Sequence, residues 1–256
     1  LVLAEWGVDY TVALPFNQII RALSKDEFLE RFFIPDKLHK IVVGYDFHFG
    51  RDREGTVDYL RRFCRKKKIL FEKVSAKCQA GETVSSSRVR TLVRGGLLPE
   101  AAKCLGRPYS VIGKVVRGSR LGRKMGVRTA NLLVRNEIFP PPGVYGVSVS
   151  FLKKRDAGFA GYFVREKRVM LGLAYHGPLP SFNPRDNASI LEVFLLNFSG
   201  NLYGCFLEVE FLEFIRKPVK VDSVERLKNL IENDILEFQT KTHKLIKKGS
   251  KKGRKV

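Results

Sequence analysis

The residues best suited to chemistry crowd into one stretch, 113–131, which reads GKVVRGSRLGRKMGVRTAN. Gly113, Gly118, Gly122 and Gly126 are interleaved there with Lys114, Arg117, Arg120, Arg123 and Lys124. Glycine lets a backbone turn tightly and bring its N–H groups up to an anion, while the cations supply the opposite charge, a combination suited to a polyphosphate. Thr129 and Asn131 follow two residues apart, so on an extended backbone the hydroxyl and the amide share one side. Two neutral oxygens beside a phosphate cradle can hold a hard divalent ion such as magnesium. Neither GxxxxGK[ST] nor a GxGxxG opening a helix after a strand is present. Gly and Arg also crowd ordinary β-turns, so the residues alone leave open both a nucleotide site and a basic, turn-rich hairpin.

The elements that must position these residues fall into two patterns. Residues 1–108 alternate strands and helices. Residues 10–14 read as a short strand, Ser24 and Glu27 as a capping box ahead of Phe28, Leu29, Phe32 and Phe33, and Ile41, Val42 and Val43 as a buried strand. A basic helix over about 57–68, a strand over 69–74, a helix after Ser85, Ser86 and Ser87 stopped by Gly95 and Gly96, and a short helix over 99–105 complete the segment. This alternation predicts a parallel α/β sheet. From Tyr109 the pattern becomes strands punctuated by Gly and Pro, at 109–116, 144–152, 168–174, 190–196 and 205–215, which predicts a small closed or sandwiched β-domain. Asp222 and Glu225 open a final helix whose Val224, Leu227, Leu230, Ile231, Ile235 and Phe238 lie to one side, so it should pack on the β-domain. The boundary belongs near 107–109.

At 256 residues the chain can bury two modest cores, and 44% hydrophobic with 29% charged residues describes a globular chain rather than a disordered one. No apolar run is long enough to span a bilayer and no secretory signal opens the chain, so no membrane role and a cytoplasmic location are expected. Cys64, Cys78, Cys104 and Cys205 form no CxxC and read as reduced residues rather than a disulfide frame or a zinc site. The 47 Lys+Arg against 26 Asp+Glu give a net charge of +21, enough to attract any polyanion. Much of that excess is local, in a tail over 243–256 expected to be disordered, with further patches at 61–68 and 117–124. No helix-turn-helix or aromatic stacking motif organises them, so nucleic-acid binding is disfavoured.

Several motifs occur in one family's order. The run 113–131, then Pro142, Gly143, Val144 and Tyr145, then Leu191, Glu192 and Val193, then Leu202, Tyr203 and Gly204 resemble the riboflavin kinase module of the bacterial bifunctional riboflavin kinase/FMN adenylyltransferases (FAD synthetases). Upstream, Val43-Gly44-Tyr45-Asp46-Phe47-His48-Phe49-Gly50, the stretch from Val84 to Arg90, and Leu105-Gly106-Arg107-Pro108-Tyr109 resemble the adenylyltransferase module. The resemblance implies an incomplete nucleotidyltransferase-like (Rossmann-like) α/β domain over 1–108, followed by an antiparallel β-barrel kinase domain with a C-terminal helix over 109–242. It further implies transfer of the ATP γ-phosphate to riboflavin, giving FMN, with Mg2+ as cofactor and small molecules as partners. Gly113, Gly118, Gly122, Arg123 and Gly126 would hold phosphate, Thr129 and Asn131 the metal, and Glu192 the hydroxyl proton. Glu192 alternates with apolar Leu191 and Val193, so it projects from the opposite strand face. The other reading is a non-catalytic flavin- or polyanion-binding protein.

The departures from the family pattern are specific. Arg128 stands where the family has proline ahead of Thr-Ala-Asn, Phe194 where it often has histidine, and the loop from Leu173 to Phe182 lacks the family's asparagine while gaining Tyr175 and His176. In the upstream half, Asp46, Phe47, Phe49 and Gly50 match a flavin-contacting loop, and Ser85, Ser86, Ser87 and Arg90 match a nucleotide-binding helix entry, although a plain N-cap explains one serine equally well. The family's Gly-Asn-Phe-Asp-Gly segment and its His-x-Gly-His are missing, since His39, His48, His176 and His243 lie far apart. The expectation is an N-terminally truncated module, weak or no FAD synthesis, and apolar surface exposed beside residues 41–43.

Overall fold

A computed structural model of the chain describes residues 1–33, 37–118, 129–135, 137–155, 162–177, 188–221 and 223–252. The chain forms two compact units that divide between Val84 and Ser85, upstream of the change of pattern at 107–109, and Leu98 from the intervening segment joins the core of the second unit.

The first unit carries helices α1 (Val2–Glu5), α2 (Gln18–Ala22) and α3 (Lys25–Phe32), strand β1 (Lys40–Gly44), helix α4 (Val57–Lys66), strand β2 (Leu70–Val74) and a small hairpin of β3 (Cys78–Gln79) and β4 (Glu82–Thr83). The capping box forms: the Ser24 Oγ accepts from the Glu27 N–H at 3.3 Å and the Glu27 carboxylate accepts from the Ser24 N–H at 2.7 Å. Those two bonds hold the Glu27 carboxyl below its usual range. β1 and β2 pair in parallel, Ile41 opposite Phe71, and α4 supplies the crossover that parallel pairing demands. Leu29, Ile41, Phe49, Leu60, Cys64 and Ile69 form the core, where a fully buried leucine contributes about 1.5–3 kcal/mol.

Residues 10–14 do not form the expected strand; Tyr10 and Val12 are 89% and 79% exposed. Alternation of apolar residues predicts a strand only if a ladder partner exists, and no described strand pairs with this segment. Ile41 is buried but Val42 is 52% exposed, so the strand expected to be buried is covered on one face only and leaves apolar surface beside 41–43.

The second unit opens with α5 (Ser86–Arg94) and α6 (Leu98–Leu105) and continues into six strands: β5 (Ser110–Val116), β6 (Ala130–Arg135), β7 (Gly143–Arg155), β8 (Tyr162–His176), β9 (Ala188–Leu195) and β10 (Phe206–Arg216). They close into an antiparallel barrel in the order β10-β5-β6-β9-β8-β7, which leaves no free edge. Val111, Val115, Leu132, Val134, Tyr145, Val147, Leu191, Val193, Leu207 and Val209 fill its interior at every second position. β6 is absent from the five expected strands. It is short and follows a run of Gly and Arg, so its Ala130, Leu132 and Val134 alternation is too brief to register in sequence.

Helix α7 (Val224–Lys252) packs on the barrel, as expected. Gly146 makes this possible: a Cβ there would stand 2.1 Å from Cδ2 of buried Phe238. Arg216 of β10 clasps buried Asp234, its Nε donating to Oδ1 at 2.8 Å and its Nη2 to Oδ2 at 2.9 Å. Two corrections apply here. Asp222 lies outside the described residues, and it is Ser223 whose Oγ caps the helix, accepting from the Arg226 N–H at 3.2 Å. The helix also continues to Lys252, into the segment expected to be disordered, because lysine is a good helix former and the segment extends an already nucleated helix.

Candidate active site

Antiparallel pairing sets which side chains share a line across the barrel. Asn131 of β6 is the direct partner of Val116 on β5 and of Glu192 on β9, and Glu192 in turn faces Tyr175 on β8. Tyr175 pairs with Val144 of β7. Their chain neighbours Val115, Ala130, Leu132, Ala174, Leu191, Val193 and Tyr145 all belong to the interior core. The period of two therefore puts Val116, Asn131, Glu192, Tyr175 and Val144 in one row on the outer face. Glu192 projects away from Leu191 and Val193, as its sequence pattern predicts. Thr129 immediately precedes β6, one residue from inward-facing Ala130, and is half-buried.

Gly118 closes over this row from the end of β5. A Cβ on it would lie 2.2 Å from the Asn131 Nδ2, so only glycine lets the backbone pass this close to the amide. Gly113 behaves otherwise, which corrects its assignment to phosphate. It is buried within β5, opposite Val134 and Leu207, and a Cβ there would meet the Val134 Cγ2 at 2.9 Å; its missing side chain serves strand packing. Gly122, Arg123, Gly126 and Arg128 lie outside the described residues, as does 178–187 of the loop that departs from the family pattern.

Two outer-face carboxylates show why Glu192 stands apart. Glu208 on β10 is buried, yet it accepts from the Ser110 Oγ at 2.7 Å and from the Arg165 Nε and Nη2 at 2.5 and 2.8 Å. Burial alone would raise its pKa, but these bonds hold the carboxyl below the ordinary range. Glu192 has no ion pair among the described residues, and burial pushes its carboxyl above the ordinary range. A paired acid is structural; a half-buried, unpaired one with a raised pKa is equipped to accept a proton.

Oxygen chemistry beside Glu192 fits a hard cation. The described residues hold no cluster of three or more His, Cys, Asp or Glu, so a divalent ion there would rest on the Asn131 amide oxygen, the Thr129 hydroxyl and a nucleotide's phosphates. That donor set matches magnesium, which keeps much of its water and binds few protein groups. His176, one of the residues gained in the altered loop, is a packing residue in the fold. Its ring stacks on Phe139 at 4.3 Å, its Nδ1 is buried without a hydrogen-bond partner among the described residues, and burial lowers its pKa. Tyr175, adjacent to Glu192, went unnoticed in sequence as a site residue because register across strands cannot be read from one strand.

The upstream site residues divide between the two units. In the first, Phe49 is core, stacked on Phe47 at 5.6 Å, which removes it from the set free to meet a ligand. Asp46 is exposed, and its carbonyl accepts from the His48 Nδ1–H at 2.7 Å. Gly50 adopts φ 74°, with Lys25 N only 2.7 Å from where a Cβ would stand. In the second unit, Ser85 is the N-cap of α5, its Oγ accepting from the Arg88 N–H at 3.2 Å, while Ser86, Ser87 and Arg90 are exposed on the first turns.

Family models match the chain in the same order as these units: an FAD synthetase model over residues 1–88 and a riboflavin kinase model over residues 105–242. A bifunctional riboflavin kinase/FMN adenylyltransferase from Pseudomonas fluorescens is 34% identical over 230 residues, covering 90% of this chain and 69% of the relative. One from Haemophilus influenzae is 30% identical, covering 89% and 70%. The crystal structure of a macrolide-efflux protein from Streptococcus pneumoniae superposes with a TM-score of 0.73 at 26% identity, covering 93% of this chain and 72% of that one. Among the described residues of this chain no helix is long and apolar enough to cross a membrane. With both models matched in chain order and this level of identity to its relatives, the chain belongs to the bifunctional riboflavin kinase/FMN adenylyltransferase family.

Proposed function

We propose that this chain is a riboflavin kinase and that the outer-face row of the barrel is where it transfers the γ-phosphate of ATP to riboflavin, giving FMN. The observation that carries the assignment is the direct pairing of Asn131 with Glu192, which sets an amide oxygen beside a raised-pKa carboxylate that has no ion pair among the described residues. Glu192 accepts the proton of the riboflavin hydroxyl as that oxygen attacks phosphorus. Burial raises its pKa above the ordinary carboxylate range, which makes the ionised carboxylate a stronger base. Thr129 and Asn131 would hold Mg2+, which when bound neutralises phosphate charge. Gly118, together with Gly122, Arg123 and Gly126, borders the phosphates. No observation favours a non-catalytic binding protein.

We assign residues 1–108 to the adenylyltransferase half, 109–242 to the kinase half and 243–256 to a basic tail, and place the enzyme in the cytoplasm, in keeping with its four unpaired cysteines. The family resemblance assigns flavin contact to Asp46, Phe47 and Gly50, and nucleotide phosphate binding to Ser86, Ser87 and Arg90. With no His-x-Gly-His to meet a triphosphate, the 256-residue chain makes FMN and little FAD. Incubating it with riboflavin and MgATP and separating the flavins by chromatography tests both statements. FMN alone supports them, FMN with FAD overturns the second, and no product overturns the first.

A further inference from the structure

We infer that Tyr175 is a riboflavin-binding residue, the aromatic wall against which the flavin ring seats while Glu192 takes its proton. The inference rests on the kinase reading above and goes beyond it by naming the acceptor side of the site.

Order along the row carries the argument. Asn131, Glu192 and Tyr175 stand on three successive strands, each separated from the next by about 4.8 Å. Phosphoryl transfer runs in line, with the nucleophile and the leaving group on opposite sides of the phosphorus. If nucleotide phosphates and metal lie at Asn131 and the attacking hydroxyl at Glu192, the body of the acceptor continues away from Asn131. The next residue in that direction is Tyr175. One further strand spacing is comparable with the reach of the short polyol chain that links riboflavin's hydroxyl to its ring.

Tyr175 has the properties such a wall needs. It is half-buried and backed by an apolar cluster of Val144, Leu173, Ile215 and Phe238, joined by Ile231 and Ile235 of α7. That backing fixes the ring at low entropic cost when a ligand stacks on it. Its hydroxyl folds back over Gly177, where a Cβ would stand 2.3 Å from the Oη, and it has no hydrogen-bond partner among the described residues. Glycine at 177 thus gives the phenol room, and the hydroxyl remains free to meet a polar ligand edge.

A phenol in van der Waals contact with a flavin quenches its fluorescence by electron donation, whereas a phenyl ring does not. Riboflavin titrated into the full chain with MgADP should therefore lose fluorescence on binding. Tyr175→Phe should bind within about threefold of wild type yet recover most of the emission, and Tyr175→Ala should raise the riboflavin KM about tenfold, a loss of ~1.4 kcal/mol, with kcat little changed. Thermal melts of both variants separate loss of contact from loss of fold: Tyr175→Phe, which keeps the apolar backing, should melt with wild type. Unquenched flavin in the wild-type complex, or quenching retained in Tyr175→Phe, overturns the inference. FMN formation is followed in parallel. FMN with unquenched flavin removes Tyr175 and leaves the kinase reading intact, quenching without FMN does the reverse, and neither binding nor FMN removes both.

Discussion

Asn131 and Glu192 are directly paired residues of adjacent antiparallel strands, so an amide and a carboxylate far apart in sequence rise side by side from the outer wall of a barrel whose interior takes their neighbours. One is a neutral amide, the other an acid with no ion pair among the described residues. Each can be altered without disturbing the core.

Replacing Glu192 with Gln should lower turnover by about 10²–10⁴ while increasing stability at neutral pH. Burial raises the folded carboxyl's pKa above the ordinary glutamate value, so the fold favours the protonated form. Stability linked to this group is complete below the unfolded value and is lost as pH rises through the folded one. Gln removes that loss, so melts near pH 4 and near pH 8 should show the variant's advantage growing with pH. Equal advantage at both values would refute the assignment.

Asn131→Ala should raise the magnesium concentration for half-maximal rate by about tenfold, equivalent to ~1.4 kcal/mol. Gly118→Ala should do the same, since its new Cβ would displace the amide from which it stands 2.2 Å. Magnesium titrations of the initial rate check both, and an unaltered metal requirement in Asn131→Ala would count against it as a ligand.

Gly146→Ala should destabilise the kinase half by about 1–3 kcal/mol, because the added methyl overlaps the Phe238 ring that docks α7. Phe238→Ala should cost about 3–5 kcal/mol. Combined, the two should cost less than their sum, since the small side chain at 238 leaves room for the methyl at 146. Urea unfolding of the four proteins measures the coupling, and strict additivity would show that the residues do not meet.

His176 should give the fold a pH dependence of the opposite sign to Glu192. Burial depresses its folded pKa below the ordinary histidine value of about 6.5, so its neutral form is favoured and the linked stability is present above that value. That stability is lost as pH falls from 6.5 through the folded value. His176→Phe, which keeps the stack on Phe139, should flatten this part of the stability profile. Melting temperatures taken across that range decide it, and an unchanged slope would place the titrating group elsewhere.

Sequence alone determined most of the secondary-structure elements, though the compact units divide at 84/85 rather than at the change of pattern near 107–109. Ser24 with Glu27 announces a capping box, Ile41 to Val43 a parallel strand, and the β-branched runs after Tyr109 a closed β-domain, because these depend on residues near one another in the chain. It also fixed which face Glu192 takes, since period two needs only Leu191 and Val193. What lay beyond it depended on distant partners. β6 was missed although it carries Asn131. Residues 10–14 alternate like a strand but have no ladder partner, Gly113 serves strand packing rather than phosphate, and Phe49 belongs to a core. Above all, register decided the site. A strand's pattern reveals which side chains point outward but not which residue of the next strand stands beside each, and only the closed barrel sets Asn131, Glu192 and Tyr175 in one row.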